Sequence, residues 1–527
     1  MQVPQASAAS RRIRRVALGD LLYRTAAKFG DRTAVVDGEQ RLSYGEMDAL
    51  SSQFAHYLLA AHGSGVQVAT LCANSVDMLV AINGIHKSAN VWVPVNIQLD
   101  ATQIGYILRH AEVSCIVADE AFCLQPQMAA LLQELGLPVV VAMGSEPNPA
   151  GATLAALAHG RPTMLPEVDI DGDEPALIMY TSGTTGNPKG VVHSHASVYS
   201  AVIGNLSTFA FTAQDVVTGI LPLFHCGQHV VTAATCAAGA CLVITRGFQA
   251  GTVVDTVVRE RISVLVGLPM MYAAILADPK AATADFSSVR LCIYAMAPMP
   301  RPLVNLIAAT LSPNIMLVTG QTEIYPVTMS FRPVEYAERD ANYWGISTVV
   351  CETAVMDDEG KLLAPGEAGE IVHRGPNVML GYFKDPAATE AVQKCGWHHT
   401  GDLGMIDEGG QLLFLDRKKD MIKTGGENVA SIKVESVILS HPAVAGVAVV
   451  GLAHPYWSEA ICAFVALKPG TTCSEQDLTE HCRANLGKFE VPKAMKFVDT
   501  LPLTATGKIQ KNVLRKQYAD WFTSTRL

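Results

Sequence analysis

Short apolar runs alternate along this chain with longer stretches in which apolar and polar residues share a helical period. Val68-Ala69-Thr70-Leu71, Val139-Val140-Val141-Ala142, Ala176-Leu177-Ile178-Met179 and Val264-Leu265-Val266 are each followed within a few residues by Gly, Asn or Ser. Apolar runs that short, closed by turn residues, predict buried strands, and the amphipathic stretches between them predict helices. Strands alternating with helices predict an α/β fold: a large N-terminal domain of mixed and parallel sheets flanked by helices. No repeat at a solenoid period and no low-complexity linker interrupts the first 400 residues.

The pattern changes at Asp416-Arg417-Lys418-Lys419-Asp420, where five consecutive charges break an apolar background. Such a run reads either as a solvated face or as a boundary. Beyond it, Val447-Ala448-Val449-Val450 and Ala463-Phe464-Val465-Ala466 predict strands of a separate small α/β unit. The expected organisation is a basic, disordered tail over 1–16, an N-terminal domain over 17–416 and a C-terminal domain over 417–527, with a hinge near 416–420.

A length of 527 residues, 49% hydrophobic, is enough for two or more cores. The net charge of −10 and the lack of a long basic block argue against nucleic acid as a partner, so a phosphate ligand must be held by local groups. The twelve cysteines lie singly without metal-ligand spacing and read as small core residues in a reducing cytoplasm. Arg11-Arg12-Ile13-Arg14-Arg15 is not followed by an apolar signal region, and Val230 to Thr245 is shorter than the roughly 20 apolar residues a membrane span needs. A soluble, cytoplasmic protein with no membrane span is expected.

Candidate chemistry begins at Thr181-Ser182-Gly183-Thr184-Thr185-Gly186-Asn187-Pro188-Lys189-Gly190, which packs three glycines, four hydroxyls and one lysine into ten residues. Glycines let backbone N–H groups turn toward an anion, hydroxyls donate beside them, and Lys189 adds a point charge. On composition alone the segment reads equally as a surface turn. It is not a Walker A loop, because Pro188 stands where the second glycine belongs and Gly190 where Ser or Thr would hold Mg²⁺.

Downstream follow Thr319-Gly320-Gln321-Thr322-Glu323, then Thr400-Gly401-Asp402, Asp416-Arg417 leading to Gly425-Gly426, and Thr506-Gly507-Lys508. In this order and spacing the motifs resemble those of the adenylate-forming superfamily of acyl-CoA synthetases, adenylation domains and luciferases, over nearly the whole chain from Leu42 to Lys508. The segment Gly426 to Ser431 is most similar to the acyl-CoA synthetase branch.

That resemblance implies an acid–thiol ligase that uses ATP, Mg²⁺ and coenzyme A to convert a carboxylic acid to its thioester through an acyl-adenylate. It implies a mobile C-terminal lid pivoting near Lys419. Thr181, Ser182, Gly183, Thr184, Thr185, Gly186 and Lys189 would hold phosphates, and Thr319, Gly320 and Thr322 would line the nucleotide site. Glu323 would bind Mg²⁺, its other reading being a glutamate at a helix start. Asp402 and Arg417 would take the ribose, and Lys508 would reach the α-phosphate. Lys423 and the Gly425-Gly426 wall would serve the thiol step. The acyl pocket would be lined by His225, Cys226, Gly227, Met296, Ala297 and Met299, with Met270 and Met271 nearby. His225 reads as a gate or as a structural histidine, and the methionines as a cavity wall or as core.

Two departures from the superfamily pattern fall in the nucleotide pocket. Thr319 replaces an aromatic that stacks on adenine, a contact typically worth about 1–3 kcal/mol, and Ala295-Met296-Ala297-Pro298 stands where Gly-Gly-Ala-Pro is usual. Either Tyr294 or Tyr325 takes over the stacking, or adenylation is weakened and the protein transfers a preformed acyl-AMP, made by a separate adenylating enzyme, to coenzyme A. A non-catalytic binding protein and a luciferase-like oxygenase are the remaining alternatives.

Overall fold

The computed structural model describes residues 13, 15–145, 148–181, 187–295, 298–339, 341–503 and 509–524. Ser182, Gly183, Thr184, Thr185 and Gly186 of the phosphate loop, Met296, Ala297 and Lys508 lie outside them. The chain is α/β, as its patterning predicts, and falls into two compact units. One holds Asn187–Thr353, His373–His398 and the described residues before 182; the other holds Ala354–Val372 and the described residues from His399 onward.

All four apolar runs singled out in the N-terminal half are strands: Gln67–Leu71, Val139–Ala142, Pro175–Thr181 and Val264–Gly267. Among the described residues, the first unit contains a sheet of seven strands in the order Gly381–Tyr382, Lys189–Ser194, Pro175–Thr181, Val91–Pro94, Gln67–Leu71, Val113–Asp119, Val139–Ala142. The last five of these run parallel to one another. A second sheet of the unit has six parallel strands in the order Ile315–Thr319, Leu291–Ala295, Val264–Gly267, Val216–Gly219, Cys241–Ile244, Thr33–Asp37. Helices built on apolar stripes cover these sheets, so their strands carry nearly unbroken Val, Leu and Ile. Among the helix starts, Ser43 and Glu46 form a capping box that fixes where Tyr44–His62 begins.

Parallel strands deliver all their carboxyl ends to one edge of a sheet, and it is there that open α/β sheets hold ligands. Val264–Gly267, Leu291–Ala295 and Ile315–Thr319 are adjacent and in register, Gly267 opposite Tyr294 and Ala295 opposite Val318. Described residues of three motifs far apart in sequence therefore follow neighbouring strand ends: Leu268 to Met271, Pro298 and Met299, and Gly320 to Glu323.

Strands Glu352–Met356, Ala368–Arg374, Trp397–Ile406 and Leu412–Arg417, whose residues fall mostly in the second unit, neighbour one another in that order. A further sheet runs Glu427–Val429, Ile422–Thr424, Ser458–Leu467, Val444–His454, with Ala494–Phe497 pairing on Ser458–Leu467. Ile422, Val434, Ile438, Val449, Ile461 and Leu478 close its core against helices Ser431–Leu439 and Glu475–Asn485.

The charged run is solvated only in its middle, where Arg417, Lys418 and Lys419 are exposed. Asp416 and Asp420 are buried. Asp416 Oδ2 accepts hydrogen bonds from the N–H and the hydroxyl of Ser431, while its Oδ1 accepts the Arg417 N–H at 2.7 Å. A carboxylate from another strand thus caps a helix whose own N-cap, Ala430, offers no side-chain acceptor. Asp420 pairs with Arg515 at 2.8 Å, and Lys418 pairs with Asp358 and Glu370. Asp416→Ala strands the buried Ser431 N–H, at a cost of about 1–3 kcal/mol. We expect a lower denaturation midpoint for the C-terminal unit; an unchanged midpoint would show the cap to be dispensable.

Near the N-terminus, Arg15 is part of the fold: its guanidinium forks onto Asp20 and reaches the Val168 carbonyl. No helix among the described residues is long and apolar enough to cross a membrane. Cys72, Cys115 and Cys292 are buried, and Cys395 is exposed.

Candidate active site

Two antiparallel strands flank the phosphate-loop motif. Strand Pro175–Thr181 enters it, strand Lys189–Ser194 leaves it, and the antiparallel register sets Lys189 opposite Thr181. Lys189 Nζ rests 4.8 Å from the ring centroid of Tyr382. Short strand Gly381–Tyr382 is stitched beside Lys189–Ser194, Tyr382 opposite Val191. The Tyr382 hydroxyl in turn donates to Glu323 Oε1 at 2.9 Å.

Glu323 follows the carboxyl end of strand Ile315–Thr319, on a tight turn whose course is fixed from several sides. His193 Nε2 meets the Thr322 carbonyl at 2.7 Å, Met379 N–H donates to the Glu323 carbonyl at 2.9 Å, and Asn377 Nδ2 reaches the carbonyls of Ile324 and Tyr325. Asn205 Nδ2 donates to the Pro326 carbonyl, and Tyr325 OH lies 2.6 Å from His229 Nδ1. Gly320 is needed here, because a Cβ would stand 2.7 Å from the Pro326 ring. Burial pushes the pKa of His193 down to about 4 although its bond to the Thr322 carbonyl favours the charged form, and burial likewise holds His229 at about 4. Both rings are therefore neutral near pH 7, and His193 donates from Nε2.

Helix Cys226–Ala238 begins beside this turn. Cys226 Sγ lies 3.7 Å from Thr322 Oγ1, which joins the proposed acyl segment to the nucleotide segment. His225 is the N-cap residue, half-buried, its ring 4.8 Å from that of Phe224. Gly227 is exposed, and a Cβ there would meet nothing within 4 Å. Met271 and Met299 are half-buried against the core, whereas Met270 is exposed.

Neither Tyr294 nor Tyr325 presents an exposed ring. Tyr325 is completely buried with its hydroxyl spent on His229, and Tyr294 is core. Thr319 Oγ1 is itself buried without a hydrogen-bond partner among the described residues.

In the second unit, Asp402 and Arg417 are register partners on antiparallel strands, with Arg417 Nε 3.8 Å from Asp402 Oδ1. The Thr400-Gly401-Asp402 turn is fixed by Thr400 Oγ1 donating to the Ile371 carbonyl and by Gly401 N–H donating to Glu370 Oε1. Burial raises Glu370, but hydrogen bonds from His399, Gly401 and Lys418 outweigh it, so its carboxyl sits below the ordinary carboxylate value. Lys419 is exposed, yet partial desolvation of its ammonium, with Arg417 adjacent, lowers its pKa.

Lys423 is exposed on strand Ile422–Thr424, and its N–H donates to Glu459 Oε2. Gly425 and Gly426 are the two residues of the hairpin turn between Thr424 and its partner Glu427, at φ +59° and +88°. Both positive values suit the turn that matches strand twist, so hairpin geometry alone accounts for the pair. A Cβ on Gly425 would lie 2.9 Å from Trp457 Cε3, whereas on Gly426 it would meet nothing within 4 Å. Gly425→Ala should therefore lower the denaturation midpoint more than Gly426→Ala, which carries only the left-handed strain of about 1–2 kcal/mol. Equal losses would contradict the Trp457 contact.

No cluster of three or more metal-ligating side chains occurs among the described residues. The fit to magnesium is nevertheless good, because that ion is commonly held by one or two carboxylates with substrate phosphates and waters. Glu323 is a half-buried carboxylate that accepts one side-chain hydrogen bond, through Oε1.

Comparison with known proteins gives the family. A family model described as AMP-binding enzyme matches residues 22–383, and one described as AMP-binding enzyme C-terminal domain matches 433–508. A long-chain-fatty-acid–CoA ligase, FadD13 of Mycobacterium tuberculosis, is 34% identical over 91% of this chain and 93% of its own length. A feruloyl-CoA synthase from Amycolatopsis is 31% identical over 96% of this chain and 100% of its own. Among solved structures, ATP-bound MatB from Rhodopseudomonas palustris superposes with a TM-score of 0.86 at 30% identity, covering 96% of this chain and 99% of that one.

Proposed function

The chain belongs to the AMP-binding enzymes and is an acid–thiol ligase that forms acyl-CoA through an acyl-adenylate; on that premise we propose that its substrate is a carboxylic acid with a mostly hydrophobic body and assign roles to its residues. The observation that carries the substrate reading is the contact of Cys226 with Thr322, which sets the apolar segment against the nucleotide segment at the carboxyl edge of the sheet. Gly227 leaves space there, and Met271 and Met299 offer adaptable apolar surface. The relatives named for long-chain fatty acids and for ferulate are in keeping with such an acid.

In the first half-reaction a carboxylate oxygen attacks the α-phosphorus of ATP and pyrophosphate leaves. Positioning and charge stabilisation carry most of such a step. We assign the phosphates to Thr181 to Gly186 and Lys189, the nucleotide site to Thr319, Gly320 and Thr322, and Mg²⁺ to Glu323; bound with ATP, that ion neutralises charge on the phosphate oxygens. The ribose falls to Asp402 with Arg417, and the α-phosphate to Lys508. In the second half-reaction the thiol of coenzyme A attacks the acyl carbon and AMP leaves, with Lys423, Gly425 and Gly426 assigned to that step. His225 gates the acyl pocket, formed with Cys226, Gly227, Met296, Ala297 and Met299. Residues near 416–420 serve as the hinge, with Lys419 at the pivot. Free cysteines throughout suit a cytoplasmic enzyme.

A panel of fatty, arylpropenoic and short polar acids tests the reading, with pyrophosphate exchange and CoA-dependent AMP release measured separately. Exchange and release with the hydrophobic acids and not the polar ones supports it; the reverse preference overturns it. Release from supplied acyl-adenylates without exchange from any acid would instead point to a separate adenylating enzyme and overturn the two-step reading.

A further inference from the structure

Tyr382 lies outside every segment that the sequence marks for chemistry, yet it touches two of them. Its hydroxyl donates to Glu323 Oε1 at 2.9 Å, and its ring lies under Lys189 Nζ at 4.8 Å. The ammonium of Lys189 makes no hydrogen bond or ion pair with a described residue, so the aromatic face is its described neighbour. One phenol thus stands between the lysine of the phosphate loop and the carboxylate of the turn after Thr319.

The backbone around Tyr382 is built to hold that position. Tyr382 pairs with Val191 across strands, Leu380 N–H donates to the Val192 carbonyl at 2.8 Å, and Phe383 N–H donates to the Gly190 carbonyl at 2.7 Å. Tyr382 N–H donates to Thr389 Oγ1 at 2.9 Å, while Met379 N–H is spent on the Glu323 carbonyl at 2.9 Å. The segment is therefore tied both to the strand that carries Lys189 and to the turn that carries Glu323, and the phenol can hold a fixed place between them.

We propose that Tyr382 is a positioning residue for the adenylation step: its hydroxyl fixes one oxygen of Glu323 and so turns the other toward the magnesium ion that accompanies ATP. The proposal rests on the assignment of Glu323 as the metal's carboxylate. A carboxylate left to rotate offers its second oxygen only part of the time. Pinning Oε1 removes that freedom before the metal arrives, as a hydrogen-bonding partner behind a metal ligand generally does.

The test is manganese binding, read from the free-ion electron paramagnetic resonance signal, in full-length protein saturated with a non-hydrolysable ATP analogue. Tyr382→Phe keeps the ring, the strand pairing and the seat of Lys189 while deleting the hydroxyl. It should weaken manganese retention about tenfold, the size of one hydrogen bond to a charged group, with an unchanged thermal midpoint without ligand. In parallel, the magnesium concentration that half-saturates pyrophosphate exchange should rise, with kcat at saturating magnesium little altered. In a Glu323→Gln background, adding Tyr382→Phe should produce no further loss.

If Glu323→Gln weakens manganese retention and Tyr382→Phe does not, the role of Tyr382 is refuted and the assignment of Glu323 stands. If Glu323→Gln leaves retention at the wild-type level, the assignment itself falls and the proposal with it. A Tyr382→Phe loss that persists unchanged in the Glu323→Gln background also refutes the proposal, since the hydroxyl would then act through another group.

Discussion

Replacing Lys508 with Ala is expected to lower ATP-dependent acyl-adenylate formation by about 10²–10³, the usual cost of removing one preorganised group that meets developing charge. Conversion of a supplied acyl-adenylate to acyl-CoA should stay near the wild-type rate, because the lysine is assigned to the α-phosphate only in the pose of the lid that serves adenylation. The pair of measurements distinguishes a role in one step from general damage. Pyrophosphate exchange and thioester formation, assayed on the same protein, read the two halves. Equal loss in both would remove Lys508 from the adenylation step and leave it a structural or binding residue.

The second large effect is on stability in acid. His193, His195 and His229 are buried in the N-terminal unit, and burial holds the pKa of each at about 4. An unfolded histidine titrates near 6.5. Between those values the unfolded chain takes up protons that the folded chain refuses, so stability falls as pH drops from about 6.5 and levels off below about 4. Each histidine costs on the order of 3 kcal/mol across that window, and together they rival the roughly 5–15 kcal/mol that holds most proteins folded.

Protonation would also strike particular bonds. His195 Nδ1 accepts the Leu18 N–H at 3.3 Å, and His229 Nδ1 faces the Tyr325 hydroxyl that anchors the turn beyond Glu323. Denaturant midpoints should decline steadily from pH 6.5 to pH 4.5, and His195→Asn, which keeps an acceptor for Leu18 without a titrating ring, should flatten the slope. A wild-type midpoint level over that range would show that these rings are protonated within the fold at little cost.

Much of the architecture is legible in the chain because buried parallel strands announce themselves as short apolar runs. The runs at 68–71, 139–142, 176–179 and 264–266 all became strands of the first unit, and those at 447–450 and 463–466 became the long antiparallel pair Val444–His454 and Ser458–Leu467 of the second. The parallel topology could be expected, but not the adjacency it creates. That Leu268, Pro298 and Gly320 follow neighbouring strand ends is a matter of strand order, which no local pattern encodes.

The supports of the site were invisible for the same reason. His193, Asn205, His229, Asn377 and Tyr382 each reach the turn around Glu323 from a distant part of the chain. A polar residue in an otherwise apolar strand or helix, such as His193 or His229, is the one local sign that a buried partner exists. The sequence also made two pairs look alike that the fold separates. Met270 and Met271 are equally apolar, but helix Pro269–Ala277 turns the first to solvent and the second to the core. Gly425 and Gly426 both serve one tight turn, and only Gly425 is crowded by an aromatic ring. Charge patterning was ambiguous at 416–420, where burial of Asp416 and Asp420 depends on Ser431 and Arg515, partners well beyond the run.

The acyl-adenylate is the chemical centre of this account, and oxygen transfer reports it without reference to any residue. A carboxylic acid labelled with ¹⁸O in both carboxyl oxygens would be turned over by the wild-type enzyme with ATP and coenzyme A, and the products weighed by mass spectrometry. Attack of the carboxylate on the α-phosphorus predicts one labelled oxygen in each AMP released and none in pyrophosphate. Label in inorganic phosphate, or AMP free of label while acyl-CoA accumulates, would contradict it.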